Sequence, residues 1–375
     1  MTASWNDARR WRAVRLDAMG DVLMTTPALR AIRESGSGRE LVLLTSPAGA
    51  DAARHVPEVD DVIVYESPWM KDTSPRTGAA DDWELIHRLR AGQFDAAVVF
   101  TVYSQNPLPA ALFAYLAEIP LRAAHCRENP YQLLTDWIAE REPTELIRHE
   151  SERQLDLVAK LGCRTANPRF SLQINDGDDR FASELLEGYG LLAHRHWILI
   201  HPGASASSRR YPIEHFALAA DELVERHDLE VLFVAGATEH ELVAAIVEAM
   251  RQPCRVVGER LDFGKLSAVI RHAPILIANN SGPVNIAAAV GTPVVDLYAL
   301  TNPQHAPWLV PHRLLTHSTP CAYCYKSVCP ERHHDCLRGI EPARVAAAAA
   351  SLFDETSSQR VAAQTSRLFQ IAGAA

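Results

Sequence analysis

Apolar residues recur along this chain in two alternating rhythms. Short, nearly continuous apolar runs are separated by longer stretches with helical spacing, the pattern of α/β layering around a mostly parallel sheet. In the first half, residues 11–16 predict a strand, the turn DAMGD follows, and residues 22–34 predict a helix. ELVLLT at 40–45, DVIVY at 61–65 and DAAVVFT at 95–101 predict further strands. Residues 67–82, polar and punctuated by Pro and Gly, predict a mobile loop. PLPAALFAYLAEIPL at 107–121 reads as a buried helix, with contact to a membrane surface as the alternative; it carries Glu118 and is too short to span a bilayer. A helix over 150–161 ends at Gly162, where left-handed backbone suits glycine.

Residues 163–178, rich in Asn, Pro, Asp and Gly, read as a link. The alternation then restarts with WILIH at 197–201 and strands at 231–235, 275–279 and 293–297. Helices begin near Pro212, Glu239 and Phe263, and an Ala-rich helix runs from Pro342 to a frayed end. The expected organisation is a Rossmann-like domain over 1–175, a second over 176–345 with a Cys-rich loop at 321–336, and a helical tail over 346–375. Two such halves imply a cleft, with ligands held beyond the carboxyl ends of the strands.

Composition narrows the class. At 375 residues, 47% hydrophobic and 22% charged, the chain suits two globular domains. A formal charge of −9 argues against a general nucleic-acid binder. The first residues lack the apolar run of a secretory signal, and seven cysteines, an odd number, fit a reducing cytoplasm.

Four segments carry candidate chemistry. In Asp17-Ala-Met-Gly-Asp21, Gly20 permits a tight turn, and Asp21 is either a helix N-cap or a carboxylate that accepts a proton from an attacking hydroxyl. His201 to Arg210 is either a polar turn with solvated arginines or an anion loop. In the latter, small residues admit backbone N–H groups, Ser205, Ser207 and Ser208 add donors, and Arg209 grips phosphate. Asn279-Asn280-Ser281-Gly282-Pro283 leads a strand into a helix N-terminus, a favourable anion site with Pro283 in the first turn. Cys321, Cys324, Cys329 and Cys336 are a structural zinc set, buried reduced thiols that order a loop, or reversible disulfides. A further cluster, Arg122, His125, Arg127, Arg148, His149 and Arg153, is interleaved with acids and reads as a solvated face; turned inward, it would hold an anionic acceptor.

DAMGDVLMTTPALRAIR, HPGASASSRRYP, NNSGPVNIAAAVGTPVVDLY and CAYCYKSVCPERHHDCL, in this order over residues 12–345, resemble the lipopolysaccharide heptosyltransferases of glycosyltransferase family 9. The resemblance implies a GT-B fold of two Rossmann-like domains facing each other across a cleft. It implies inverting, metal-independent transfer from ADP-heptose to a lipid-linked or oligosaccharide acceptor of the lipopolysaccharide core. It places the base on Asp21 and the phosphate-gripping cation on Arg209, where lysine is usual, with Ser205, Ser207 and Ser208 in the phosphate loop. It gives the ribose to Glu239 or Glu241 and the base pocket to Leu261 and Phe263.

Two positions depart from the family pattern. Where it reads aspartate, for contact with the donor sugar, this chain has Asn280, and where it reads histidine, Asn285. The amides from Ser281 to Val284 still suit phosphate, so nucleotide binding follows, and the sugar is heptose or another ADP- or UDP-linked sugar. An epimerase on the same architecture, or a degenerate member that binds nucleotide sugar without transferring it, are the rival readings. A lipid-linked acceptor would bring a cytoplasmic enzyme to the inner face of the membrane, in peripheral contact at most.

Overall fold

The computed structural model describes residues 3–71, 73–194, 196–236 and 239–372, with side chains as far as Ser358. The chain divides into two compact units, Met1–Gln173 and Ile174–Ala375. The frayed end expected at the C-terminus falls on 373–375, outside the described residues.

The first unit runs β1 (Arg10–Arg15), α1 (Met19–Glu34), β2 (Glu40–Thr45), α2 (Pro47–Arg54), β3 (Asp61–Val64) and α3 (Ala80–Ala91). It continues with β4 (Ala96–Val99), α4 (Leu108–Leu116), β5 (Leu121–Cys126), β6 (Asp136–Ala139) and α5 (Glu150–Lys160). All pairings are parallel, in the order β3-β2-β1-β4-β5-β6. This is the Rossmann order, which reverses direction between β1 and β4 and so opens a crevice at their carboxyl ends. β1, β2 and β4 carry no exposed position, as strands covered on both faces require. α5 ends as its glycine predicts, with Gly162 at φ +84°.

The second unit begins with α6 (Asp176–Gly188) and α7 (Leu191–His194), then β7 (Trp197–His201), α8 (Ile213–His227), β8 (Glu230–Phe233), α9 (His240–Ala249) and β9 (Arg255–Val256). It continues with α10 (Phe263–His272), β10 (Leu276–Asn279), α11 (Gly282–Val290), β11 (Val294–Leu297), β12 (His312–Leu315), α12 (Asp335–Arg338) and α13 (Pro342–Ala372). The order β12-β11-β10-β7-β8-β9 repeats the Rossmann arrangement, with its reversal between β7 and β10.

Three expectations need correction. Residues 346–375 are not simply a tail, because Ala346, Ala349, Leu352 and Phe353 of α13 are buried in the core of the second unit. The segment 107–121 is not one buried helix. It is α4, which lays Ala110, Ala111 and Ala114 inward and leaves Leu112, Tyr115 and Leu116 exposed, followed by the start of β5. The loop at 67–82 ends early, because Ala80 opens α3.

Candidate active site

In the first unit the motif loop leaves β1 at the reversal point. α1 starts at Met19 with Ala18 in the cap position, so Asp21 is not the N-cap; it lies in the first helical turn. There the positive end of the helix dipole favours a carboxylate. Asp21 Oδ1 accepts from Arg15 Nη2 at 3.0 Å. Arg15 is fully buried and also reaches Asp17 Oδ2 through Nε at 3.0 Å and Glu150 Oε1 through Nη1 at 2.9 Å.

One guanidinium therefore serves three carboxylates. Burial works against the Arg15 charge, but Asp17, Glu150 and Asp21 outweigh it and hold the group above its ordinary range. Burial likewise raises Asp17 and Glu150, with Arg15 pulling both back. Gln105 Nε2 donates to the other Asp17 oxygen at 2.6 Å. Above this floor opens a cavity of about 270 Å³ whose walls include Asp17, Trp69, Met70, Phe100, Thr101 and Gln105. Its mixture of apolar walls and a few placed polar groups is that of a ligand pocket. A larger, shallower hollow of about 610 Å³ around Gln93 and Phe94 lies just before β4, at the opposite end of the sheet from the motif loop.

The basic cluster is not one solvated face as expected: His125 and Arg153 are buried, Arg122, Arg148 and His149 are half-buried, and Arg127 is exposed. Arg153 is buried against Glu140, Glu142 and Glu150. Its backbone carbonyl meets His125 Nε2 at 3.1 Å. Burial, then the Arg153 charge, lowers His125 to about 4, so this imidazole stays neutral. Arg148 pairs with Glu142 and Asp156, and His149 caps α5 by accepting from Ser151 N. The reason is topological: β5 and β6 carry His125 and lead into Glu140 and Glu142, while α5 supplies Arg153 and Glu150.

In the second unit, both candidate anion loops leave the strands that flank the reversal, β7 and β10. Asn279 ties them together, donating from Nδ2 to Pro202 O at 2.6 Å and accepting from Tyr211 N at 3.0 Å. Ser281 Oγ adds a bond to Gly203 O at 3.3 Å. Ser281 occupies the cap position of α11 without a side-chain cap, and Gly282 and Pro283 open the helix. Pro283 carries no N–H and Val284 N donates to Ser281 O at 3.1 Å, so Gly282 N is the opening amide of α11 left to meet an anion.

Ser205 and Ser207 are exposed, whereas Ser208 is buried and donates to Lys326 O at 2.7 Å. That bond, with Ser208 N to Ser327 O at 3.1 Å, fastens the Cys-rich segment to the loop. Arg210 Nε is spent on Ala204 O at 2.8 Å. Arg209 is half-buried, and its enclosed Nε has no hydrogen-bond partner among the described residues.

The remaining candidates scatter around these loops. Glu239 accepts from Gly236 N at 2.9 Å and lies 3.6 Å from His201 Nε2. Its carboxylate fills the space at Gly203 so closely that a Cβ there would fall 1.9 Å away. Glu241 is exposed on α9, while Leu261 and Phe263 are buried at the start of α10.

Asn280 and Asn285 are each about nine-tenths buried. Asn280 Nδ2 donates to Asp296 Oδ2 and to His305 O, both at 2.8 Å. Asp296 is fully enclosed on β11, and burial pushes its carboxyl up to about 8 although Asn280 and Arg209 draw it back. Sequence reasoning missed this residue, because PVVDL reads as a core strand and only its register beside Ala278 brings it to the loop.

Cys321, Cys324, Cys329 and Cys336 are unpaired and half-buried. Burial, then the neighbouring thiols, pushes Cys336 up to about 11, and Cys321 Sγ lies 3.7 Å from His333 Nε2. These donors suit zinc by type, yet among the described residues no three of the His, Cys, Asp and Glu side chains are gathered to hold a metal ion. Among the described residues, too, no helix is long and apolar enough to cross a membrane.

Twin Rossmann-ordered sheets, with a carboxylate at one reversal point and candidate anion loops at the other, are the architecture of the GT-B fold. Residues 83–334 match the model of Glycosyltransferase family 9 (heptosyltransferase), and the chain belongs to that family. It is 25% identical over 295 residues to the lipopolysaccharide core heptosyltransferase OpsX of Haemophilus influenzae, covering 77% of this chain and 79% of that one. The fold matches the family 9 glycosyl transferase of Veillonella parvula with a TM-score of 0.75 at 22% identity, over 95% of this chain and 99% of the other. It matches E. coli ADP-heptose lps heptosyltransferase II with a TM-score of 0.71 at 22% identity, over 93% and 99%.

Proposed function

We propose that this glycosyltransferase moves a heptose from ADP-heptose, with inversion at the anomeric carbon, to a lipopolysaccharide core or related glycan acceptor. The relatives' names support the sugar and the acceptor class. The observation that carries the chemistry is Asp21, held by Arg15 in the first turn of α1 at the mouth of a crevice. The first unit receives the acceptor and the second the nucleotide sugar.

In the reaction an acceptor hydroxyl attacks the anomeric carbon while the bond from that carbon to the diphosphate oxygen breaks. Asp21 takes the hydroxyl proton, and ADP leaves with the bonding electron pair. Charge grows on the departing diphosphate, and Arg209 with Gly282 N at the start of α11 stabilises it there, where an interaction specific to the transition state lowers the barrier. Glu239 or Glu241 meets the ribose, and Leu261 and Phe263 line the base pocket. No step requires a metal. A lipid-linked acceptor would bring the enzyme to the inner face of the membrane.

The test is to incubate the protein with ADP-heptose and a heptose-deficient core lipopolysaccharide, then read product mass and anomeric configuration. One added heptose of inverted configuration, with one ADP released, is expected. Consumption of donor without acceptor, giving an isomeric sugar, would replace transfer by epimerisation. Tight donor binding with no turnover would mark a binding module.

A further inference from the structure

α4 is built from nine residues, LPAALFAYL, and carries no charged side chain on any face. A helix laid on a sheet needs one apolar stripe, and α4 supplies it with Ala110, Ala111 and Ala114. The residues turned the other way are apolar as well, and they stand in the open. Leu112 is 40% exposed, Tyr115 46% and Leu116 36%. Their spacing, i, i+3 and i+4, sets all three on one outward face. A helix apolar all round belongs in a protein interior or against lipid, and α4 is not interior.

The rim of this face carries the right polar groups. Arg122, on β5, lies with its guanidinium 5.4 Å from the centre of the Tyr115 ring. Its Nε and Nη2 donate to Leu133 O and Gln132 O, each at 2.9 Å, which draws in the turn that carries Tyr131, 81% exposed. Two tyrosines joined by an arginine present apolar rings with polar tips, the chemistry of a lipid–water boundary. Glu118, the first acid beyond the helix, is matched by Arg90 at 2.6 Å. A chain of net charge −9 is as a whole repelled by anionic headgroups. On this face acid and base cancel, and Arg122 remains as the cation.

α4 also borders the cavity above Asp17, since Pro107, Pro109 and Ala110 at its start are among the walls. The outward face lies one to two turns further along the same helix. Resting on the lipid-linked acceptor of the reading above, we propose that Leu112, Tyr115 and Leu116, with Tyr131 beside them, dock on an anionic phospholipid bilayer. The leucines enter the boundary between headgroups and acyl chains, and Arg122 meets a lipid phosphate. One helix then touches the bilayer with its outer face and borders the acceptor cavity with its first turn. A second copy of the chain is the poorer occupant. A stable dimer buries about 800 Å² on each partner, and a helix about 13 Å long with three large exposed side chains falls well short.

Flotation of the full chain with vesicles of phosphatidylethanolamine and phosphatidylglycerol, free of any acceptor, tests the surface apart from the reaction. The unaltered chain is expected to float with the vesicles. Leu112→Ser combined with Leu116→Ser should lower the partition coefficient about tenfold or more, the scale of withdrawing two leucines from an apolar phase. Added salt should weaken flotation only modestly, because a single cation takes part. Both leucines are exposed, so the double variant keeps its melting temperature and its transfer to a water-soluble oligosaccharide acceptor. Its transfer to an acceptor embedded in vesicles falls. No flotation of the unaltered chain, or equal flotation of the double variant, overturns the proposal and leaves the transfer reading intact. A dimer in sedimentation that the same two substitutions dissolve overturns it in favour of a second copy. Flotation that depends on the leucines, with no heptose transfer to any acceptor, upholds the surface and overturns the transfer reading.

Discussion

Arg15 holds Asp21 at 3.0 Å, yet Asp21 is only one of three carboxylates on that guanidinium, the other two being Asp17 and Glu150. A base bound to a cation of its own would be poorly disposed to take a proton. A cation divided among three acids positions the base without claiming its whole charge. Asp21→Asn keeps the shape and the hydrogen-bonding distance but cannot accept the acceptor's proton. Turnover is expected to fall by roughly a hundredfold or more. The dissociation constant for ADP should stay within about twofold, since the loops proposed to hold the nucleotide belong to the other unit. Steady-state transfer and ADP calorimetry read the two effects separately, and normal transfer by this variant would remove Asp21 from the mechanism.

The same cluster makes a stability prediction. Removing Arg15 leaves Asp17 and Glu150, both largely enclosed, without their shared cation, whereas removing one carboxylate leaves the cation still paired. Arg15→Leu should cost about 3–5 kcal/mol, the penalty for stranding buried charge. Glu150→Gln should cost about 1 kcal/mol, because Arg15 keeps two acids and the amide still accepts. Urea titrations of both variants compare the first unfolding transition, and equal losses would show that Arg15 does not hold the cluster together.

How much of this was readable from the chain depends on how far apart the partners lie. β2 and β7 are bounded as their apolar runs indicate, because a strand covered on both faces is nearly continuous in apolar residues through its middle. β5 was hidden because LRAAHC places Arg122 and His125 inside a buried strand, and periodicity reads such residues as surface. Arg15 and Glu150 are 135 residues apart, so no local pattern joins them. Asp21 and the loops at Ser205 and Ser281 were legible because each follows a strand and precedes a turn or helix in one stretch of sequence. Asp296 was not, since its importance comes from a neighbouring strand in the sheet.

Arg209 lies near Asp296 and Tyr298, but among the described residues its enclosed Nε has no hydrogen-bond partner, a costly state that a diphosphate oxygen would relieve. Arg209→Ala should weaken ADP binding by about tenfold or more, the scale of a charge-assisted bond. Arg209→Lys should recover only part of the loss, because an ammonium keeps the charge and gives up the two-pronged grip. Calorimetry with ADP and with adenosine separates the phosphate contribution. Equal ADP affinity in all three proteins would deny Arg209 its role.

Asp296 also makes the stability of the second unit depend on pH. Its carboxyl is raised from 3.8 to about 8 by burial, so between those values the folded chain holds a proton that the unfolded chain has released. Stability falls with rising pH wherever the folded state binds the extra proton. The Asp296 contribution is therefore fully present below about 4 and is lost progressively as pH rises toward about 8. Asp296→Asn abolishes this titration while keeping an acceptor for Asn280, and the raised Asp17 and Glu150 remain in both proteins and cancel in the comparison. Melting temperatures from pH 5 to 8 should show the unaltered chain losing ground steadily to Asp296→Asn as the pH increases. Parallel curves would mean that Asp296 ionises in its ordinary range, and its enclosure on β11 would then need a paired cation, for which Arg209 is the nearest candidate.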